Sequence, residues 1–119
     1  MPKVSPYVYP GLEGSSGDLS MMTLTYAVCA ALNMEFNEVM GQRRFRPLVE
    51  ARFALYYCFI RREKKTYSQV GRHFGRDHSS VVNGVQAWER LLSVNDKDAL
   101  SVQRQVNNVY HNLKNQQYT

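Results

Sequence analysis

A chain of 119 residues has room for one domain with a modest core and too little for two. Its composition, 44% hydrophobic and 21% charged, is globular, and no apolar run reaches the roughly 18 residues of a membrane span. A net charge of +5 favours an anionic partner, nucleic acid before acidic membrane. The two cysteines, Cys29 and Cys58, stand singly inside apolar segments, as buried thiols do and as metal pairs or disulfide frameworks do not.

Residues 1–17 are rich in Pro, Gly and Ser and read as a flexible arm, docked by Tyr7 and Tyr9. They lack a charged segment followed by an apolar one, so no signal peptide is expected. The folded domain is expected over residues 18–119. Asp18 is the predicted N-cap of a first helix over residues 19–32, with Met21, Leu24, Val28 and Leu32 as its apolar stripe and Asn33 as its end. A short helix over residues 36–40 is closed by Gly41.

Residues 42–46 read QRRFR, and Pro47 suits the first turn of the next helix. Residues 53–60, FALYYCFI, are apolar throughout. Taken alone they could form a buried strand. The absence of Gly or a further Pro from Pro47 to about Lys64 favours a helix, and one apolar nearly all round belongs at the centre of a fold. The basic run RREKK over residues 61–65 then lies at that helix's C-terminal end, where the dipole favours it.

Thr66 and Gln69 have the spacing of a capping box, opening a helix with Tyr67, Val70 and Phe74 on one side. Gly75 supplies the freedom a helix end needs, and Asp77 is the next N-cap. The helix that follows has a core face of Val81, Val82, Val85, Trp88 and Leu92. Ser79, Asn83, Gln86 and Arg90 lie opposite. Two helices joined by a tight turn containing glycine form a helix-turn-helix, whose second helix presents its N-terminal residues to base edges in the major groove. Asn95 or Asp96 caps a last helix carrying Ala99, Val102, Val106, Val109 or Tyr110, and Leu113, a stripe that suits the core, with a dimer seam as the alternative. The expectation is therefore an all-α domain of six helices.

The run Gly75-Arg76-Asp77-His78-Ser79-Ser80-Val81 resembles the GRDHTTV signature of the bacterial replication initiator DnaA. Upstream, Val70, Gly71 and Phe74 match the family's Ile-Gly-x-x-Phe-Gly pattern. Arg43-Arg44 and Ala51-Arg52 match its basic loop and the start of its long helix, and Met34, Phe36, Glu38 and Val39 match the turn before that loop. The resemblance covers roughly residues 19–92, the family's C-terminal DNA-binding domain, here as a stand-alone domain.

The resemblance implies a fold related to Trp repressor and binding to a short asymmetric duplex element, the DnaA box. It implies major-groove base contacts from Asp77, His78, Ser79 and Ser80 and a minor-groove contact from Arg44; Asn83, on the same polar face one turn on, is a further base-contact candidate. It places Arg52 on phosphate, and Thr66, Tyr67, Ser68 and Arg76 are further phosphate candidates by position at the helix-turn-helix. Arg43 and Arg46 in the loop, and Lys64 and Lys65 in the basic run, are further phosphate candidates by charge and position. Asp77 has two readings, a helix cap or an acceptor from cytosine N4. His73 and His78 are five apart across a turn, so no metal site is expected.

Four features differ from the family. No G-x-x-x-x-G-K-[ST] phosphate loop occurs, so neither nucleotide nor other cofactor is expected. Ser79 and Ser80 replace threonines, Asn83 stands where histidine is common, and Glu50 adds a negative charge to a basic region. The acidic residues are scattered without a catalytic pair, so no enzyme is expected. The expected function is sequence-specific binding of double-stranded DNA by a cytoplasmic, nucleoid-associated monomer. It would regulate replication or transcription, alongside other regulatory proteins and away from membranes. The alternative is a protein-interaction domain that kept the fold and lost specific DNA binding.

Overall fold

The computed structural model describes residues 20–117, which form six α-helices with no strand among them. The arm over residues 1–17, and with it Tyr7 and Tyr9, lies outside the described residues. So does Asp18, the expected first cap. Instead Ser20 caps α1 (Met21–Ala31), its hydroxyl accepting from the Thr23 N–H at 3.4 Å. Asn33 ends this segment in the left-handed region, at φ 58°, and α2 (Phe36–Met40) follows, closed by Gly41.

The central helix α3 (Arg46–Tyr57) has Pro47 in its first turn, where the missing N–H costs nothing. Leu48, Glu50, Ala51, Arg52, Ala54, Leu55 and Tyr56 are all buried along it, so it is covered on nearly every side. An uninterrupted α-helix to about Lys64 was the expectation, but the last turn widens into a π-helical turn, Cys58–Arg62. Glu63 N–H bonds Cys58 C=O at 3.1 Å, five residues back, and Lys64 turns left-handed at φ 57°. Cys58, Phe59 and Ile60 are buried within this turn, continuing the all-round burial of α3.

The capping box at Thr66 is formed in both directions. Thr66 N–H donates to Gln69 Oε1 at 2.8 Å, and Gln69 N–H donates to Thr66 Oγ1 at 3.0 Å. It opens α4 (Tyr67–Phe74), which buries Val70 and Phe74 and leaves Tyr67 half-buried. Gly75 adopts φ 68°, and Arg76 N–H closes the end on Gly71 C=O at 2.7 Å. Gly71 matters as much as Gly75 here: a Cβ on it would lie 2.5 Å from the Arg76 carbonyl oxygen, so the tight turn admits no side chain there.

Helix α5 (His78–Ser93) buries Val81, Val85 and Trp88, and half-buries Val82 and Leu92. It crosses α3 closely at Gly84, where a Cβ would stand 2.7 Å from Tyr56 Cδ2 and 3.0 Å from Phe53 Cδ1. Asp96, rather than Asn95, caps α6 (Lys97–Gln117), accepting from Ala99 N–H at 3.0 Å. Ala99, Val106, Val109 and Leu113 are buried against α1 and α3, which places the stripe in the core and Val109 ahead of Tyr110. The buried Trp88 donates its indole N–H to Gln103 Oε1 at 2.7 Å, and Gln103 donates onward to Asn107 at 2.9 Å. Cys29 and Cys58 are buried free thiols, pushed up by burial to about 11 and about 12. No helix among the described residues is long and apolar enough to cross a membrane.

One polar bond ties α4 to α1. Thr25 donates its only hydroxyl proton to Met21 C=O at 2.8 Å, so its oxygen accepts from His73 Nε2–H at 2.9 Å. Burial lowers the His73 pKa from 6.5. The unfolded chain therefore binds this proton more readily than the folded one. The stability His73 contributes is complete above pH 6.5 and is lost as pH falls through the folded-state value. Replacing His73 with Gln should flatten the acid-side decline in melting temperature below pH 6.5, read by circular dichroism. Gly84→Ala should destabilise by about 1–3 kcal/mol in urea unfolding, because two rings must shift to admit one methyl.

Candidate nucleic-acid interface

The interface is built from α4, the Gly75 turn and the first turns of α5, with the loop over residues 42–45 beside them. Asp77, His78, Ser79 and Ser80 are all exposed at the start of α5, and Asn83 is exposed one turn further on. Asp77 has the extended backbone of an N-cap, φ −63° and ψ 150°, yet its carboxylate makes no capping hydrogen bond. Its expected role as a side-chain cap is therefore corrected. With no capping hydrogen bond made, both carboxylate oxygens remain available as acceptors.

The two arginines of the loop and Arg46, which opens α3, have different fates. Arg43 pairs with Glu38 at 3.1 Å and lies over the Phe45 ring at 5.0 Å. Arg46 turns to an acidic group, 3.0 Å from Glu50, 3.8 Å from Asp96 and 3.7 Å from Asp98. This pairing neutralises Glu50, so the negative charge that the sequence adds to a basic region does not face the loop's open side. The side chain of Arg46 stays largely exposed while so paired. Those three carboxylates come within 4.8 Å of one another, and the Arg46 guanidinium is the cation among them. Arg44 is exposed and makes no ion pair among the described residues.

Arg52 differs most from expectation. It is 3% exposed, donating from Nε to Val39 C=O at 2.7 Å and from Nη2 to Glu38 C=O at 2.9 Å. A buried guanidinium held by two carbonyls is a brace, so the direct phosphate contact expected of Arg52 gives way to a positioning role. Burial lowers its pKa, and the facing Arg76 adds to that. Arg76 itself donates from Nη2 to Gly41 C=O. The two arginines together hold the end of α2, and hence the loop that follows it, against the helix-turn-helix. Neither bond is legible in sequence spacing, since they join residues 13, 14 and 35 apart.

On the far side of α4, the turn over residues 64–66 exposes Lys64 and Thr66, with Lys65 half-buried. Ser68 is exposed and Tyr67 half-buried in the first turn of α4. The Thr66 oxygen accepts from Gln69 N–H, which leaves its own proton free to donate outward. Arg61 of the same basic run turns away to Glu89, at 2.8 Å.

Between loop and recognition helix runs a cleft lined by Gln42, Arg44, Val49, Arg52, Phe53, Tyr56, Arg76, Ser80, Asn83, Gly84, Ala87 and Arg90. It joins Arg44 to Ser80 and Asn83 in one concave surface. The sequence reading placed Arg90 on the outer face of α5 without a role. The signal was its spacing of seven from Asn83, which puts both on one side of a helix.

The model of the bacterial dnaA protein helix-turn-helix family matches residues 22–87, from α1 into the second half of α5. The chromosomal replication initiator protein DnaA of Sphingopyxis alaskensis is 29% identical over 85 residues, 68% of this chain and 19% of that protein. The DnaA of Ruegeria sp. is 25% identical over 93 residues, 77% of this chain and 20% of its own length. That of Rhizobium meliloti is 32% identical over 66 residues, 55% of this chain and 14% of its length. The chain thus spans about a fifth of the length of these curated relatives, or less. With more than half of its residues matched, and with the helix-turn-helix and the loop both inside the match, this chain belongs to the bacterial DnaA helix-turn-helix family.

Proposed function

We propose that this chain binds double-stranded DNA sequence-specifically, reading a DnaA-box-like element without catalysis, and so regulates replication or transcription. The relatives bear the name chromosomal replication initiator, which supports replication as the process. The observation that carries the reading is the pairing of an exposed polar N-terminus on α5 with an uncommitted Arg44 in a braced loop. A recognition helix in the major groove and an arginine in the neighbouring minor groove sample one duplex from two sides.

Asp77 accepts from cytosine N4, and His78, Ser79, Ser80 and Asn83 supply the further donors and acceptors that major-groove edges need. Serines lack the methyl groups of threonines, so apolar contacts to thymine methyls are fewer, and the preferred element differs from the family's at those positions. Lys64, Lys65, Thr66, Tyr67 and Ser68 hold phosphates on one side, Arg43 and Arg76 on the other, and these contacts position without reading. One copy on an asymmetric element suffices.

Selection of bound duplexes from a random pool, followed by fluorescence anisotropy, tests the reading. His78→Ala and Asp77→Ser should each cost about 1–3 kcal/mol on the selected site and little on random DNA. An unchanged ratio of specific to random affinity would reject this placement of α5. Failure to enrich any duplex would favour a protein-interaction role. With Arg52 buried and Arg46 paired, about three to five phosphate contacts remain, so log affinity against log salt should fall with a slope of roughly −3 to −4. Arg52→Ala should leave that slope nearly unchanged and lower the melting temperature instead, through loss of bonds to two carbonyls worth about 1–3 kcal/mol.

A further inference from the structure

Glu63 stands inside the basic run over residues 61–65, directly before Lys64 and Lys65. Opposite charges this close attract, so a loose carboxylate here would draw the lysines to itself and repel an approaching phosphate. The structure turns it elsewhere. The Glu63 side chain is 4% exposed and faces α6, accepting from the Tyr110 hydroxyl at 2.6 Å and from Lys114 Nζ at 3.1 Å. Lys64 and Lys65 make no ion pair among the described residues. Tyr110 and Lys114 both lie beyond residues 22–87, the segment that the family's model matches.

Tyr110 has a second grip on this stretch. Its ring centre lies 5.2 Å from the Arg62 guanidinium and 5.6 Å from Lys114 Nζ. One side chain of α6 therefore holds residues 62 and 63, the two that lead into the turn. Burial, and then the bond to Glu63, raise the Tyr110 pKa from 10.0, so the phenol keeps its proton and remains the donor. The turn needs holding, because Lys64 is left-handed at φ 57°, a conformation that a residue with a Cβ adopts only at a cost. Lys65 N–H bonds Phe59 C=O at 3.0 Å, and the Thr66 capping box follows at once. With Glu63 fixed at one end and the capping box at the other, the backbone of the two lysines between them is set. We infer that Tyr110 is a positioning residue for duplex binding: with Lys114 it sequesters the Glu63 carboxylate on α6, which leaves Lys64 and Lys65 to phosphate and holds the turn that presents them. This role rests on the DNA-binding reading, and within it on the phosphate contacts of residues 64 and 65.

The test uses the full chain and four variants of it. Tyr110→Phe keeps the ring and loses only the hydroxyl. Glu63→Gln keeps an acceptor and loses the charge, and the third variant combines the two. Gln103→Met breaks the other side-chain bond that fastens α6, the one to Trp88, and is the control for a merely structural loss. Affinity for the selected duplex and for random duplex is read by fluorescence anisotropy across a salt series, with melting temperatures alongside. Tyr110→Phe should bind about three- to tenfold more weakly, the worth of one net hydrogen bond. The factor should be the same on both duplexes, because phosphate contacts carry no sequence information. The slope of log affinity against log salt should become shallower by about one unit. Adding Glu63→Gln should restore the affinity of Tyr110→Phe, since no carboxylate remains to capture the lysines, and should change the native protein much less. Gln103→Met should lower the melting temperature and leave affinity and slope as they are. A loss confined to the selected duplex, a loss that Glu63→Gln does not restore, or an equal loss in Gln103→Met each overturns the role. Duplex bound equally by the native protein and Tyr110→Phe removes the role alone. No duplex bound by the native protein removes the DNA-binding reading, and the role with it.

Discussion

Two guanidinium groups on the carbonyl end of a five-residue helix hold this domain's candidate interface together. Arg52 reaches from the central helix to Glu38 and Val39, and Arg76 reaches from the helix-turn-helix to Gly41. Helix C-terminal carbonyls carry partial negative charge and lack partners of their own, so they accept cationic donors well. A helix as short as α2 has little stability alone, and these bonds make its end a fixed point instead of a fraying one. The loop that follows inherits that fixed point, which is why Arg44 emerges in a defined place relative to α5.

That arrangement sets positive charges against one another. The cation of Arg76 acts unfavourably on Arg52, and Arg44 adds to it from the loop. Folding alone would be better served by an apolar brace. An anionic partner reverses the balance, because the same repulsion that weakens the free protein is relieved when negative charge arrives. Preorganisation adds to this, since a loop already ordered loses little entropy on binding. Elsewhere the loop's charge is moderated: Arg43 is drawn to Glu38 and Arg46 to Glu50, Asp96 and Asp98. The outcome is a narrow channel of uncompensated charge instead of a uniformly basic surface.

Helix α6 is fastened by different chemistry. The π-helical turn brings Glu63 round so that its side chain is 4% exposed, accepting from Tyr110 at 2.6 Å and from Lys114 at 3.1 Å. These bonds, with the Trp88–Gln103 pair, fasten α6 to the two helices that carry the site. A buried carboxylate is costly unless paired, and here two donors on one helix satisfy it. Helix α6 lies beyond the segment matched by the family model, yet it covers the back of α3 and α1. Its role is to keep α3 rigid while α3 presents Arg52 and supports Gly84.

Much of this was legible in the chain itself. Period-3.6 apolar stripes located the helices, because burying such a stripe is the main free-energy gain available to a segment of that length. The capping box at Thr66 and the glycine at 75 marked the turn, because both act through backbone groups within a few residues. Local chemistry of that kind is written in local sequence. The short polar run after Gly75, at the start of a helix, identified the candidate reading surface for the same reason. Tertiary structure alone decided the rest. Ser20 caps the first described helix, and Asp77 does not use its carboxylate as a cap. The wide turn at Cys58–Arg62 replaces the regular last turn that an uninterrupted apolar run led one to expect. Among Arg43, Arg44, Arg46, Arg52 and Arg76, only folding could sort the brace at Arg52 and the paired Arg46 from the open Arg44. A charge pattern states how many cations a chain has. Which of them meet carbonyls, carboxylates or open solvent depends on contacts between residues far apart in sequence, and those form only when the core closes.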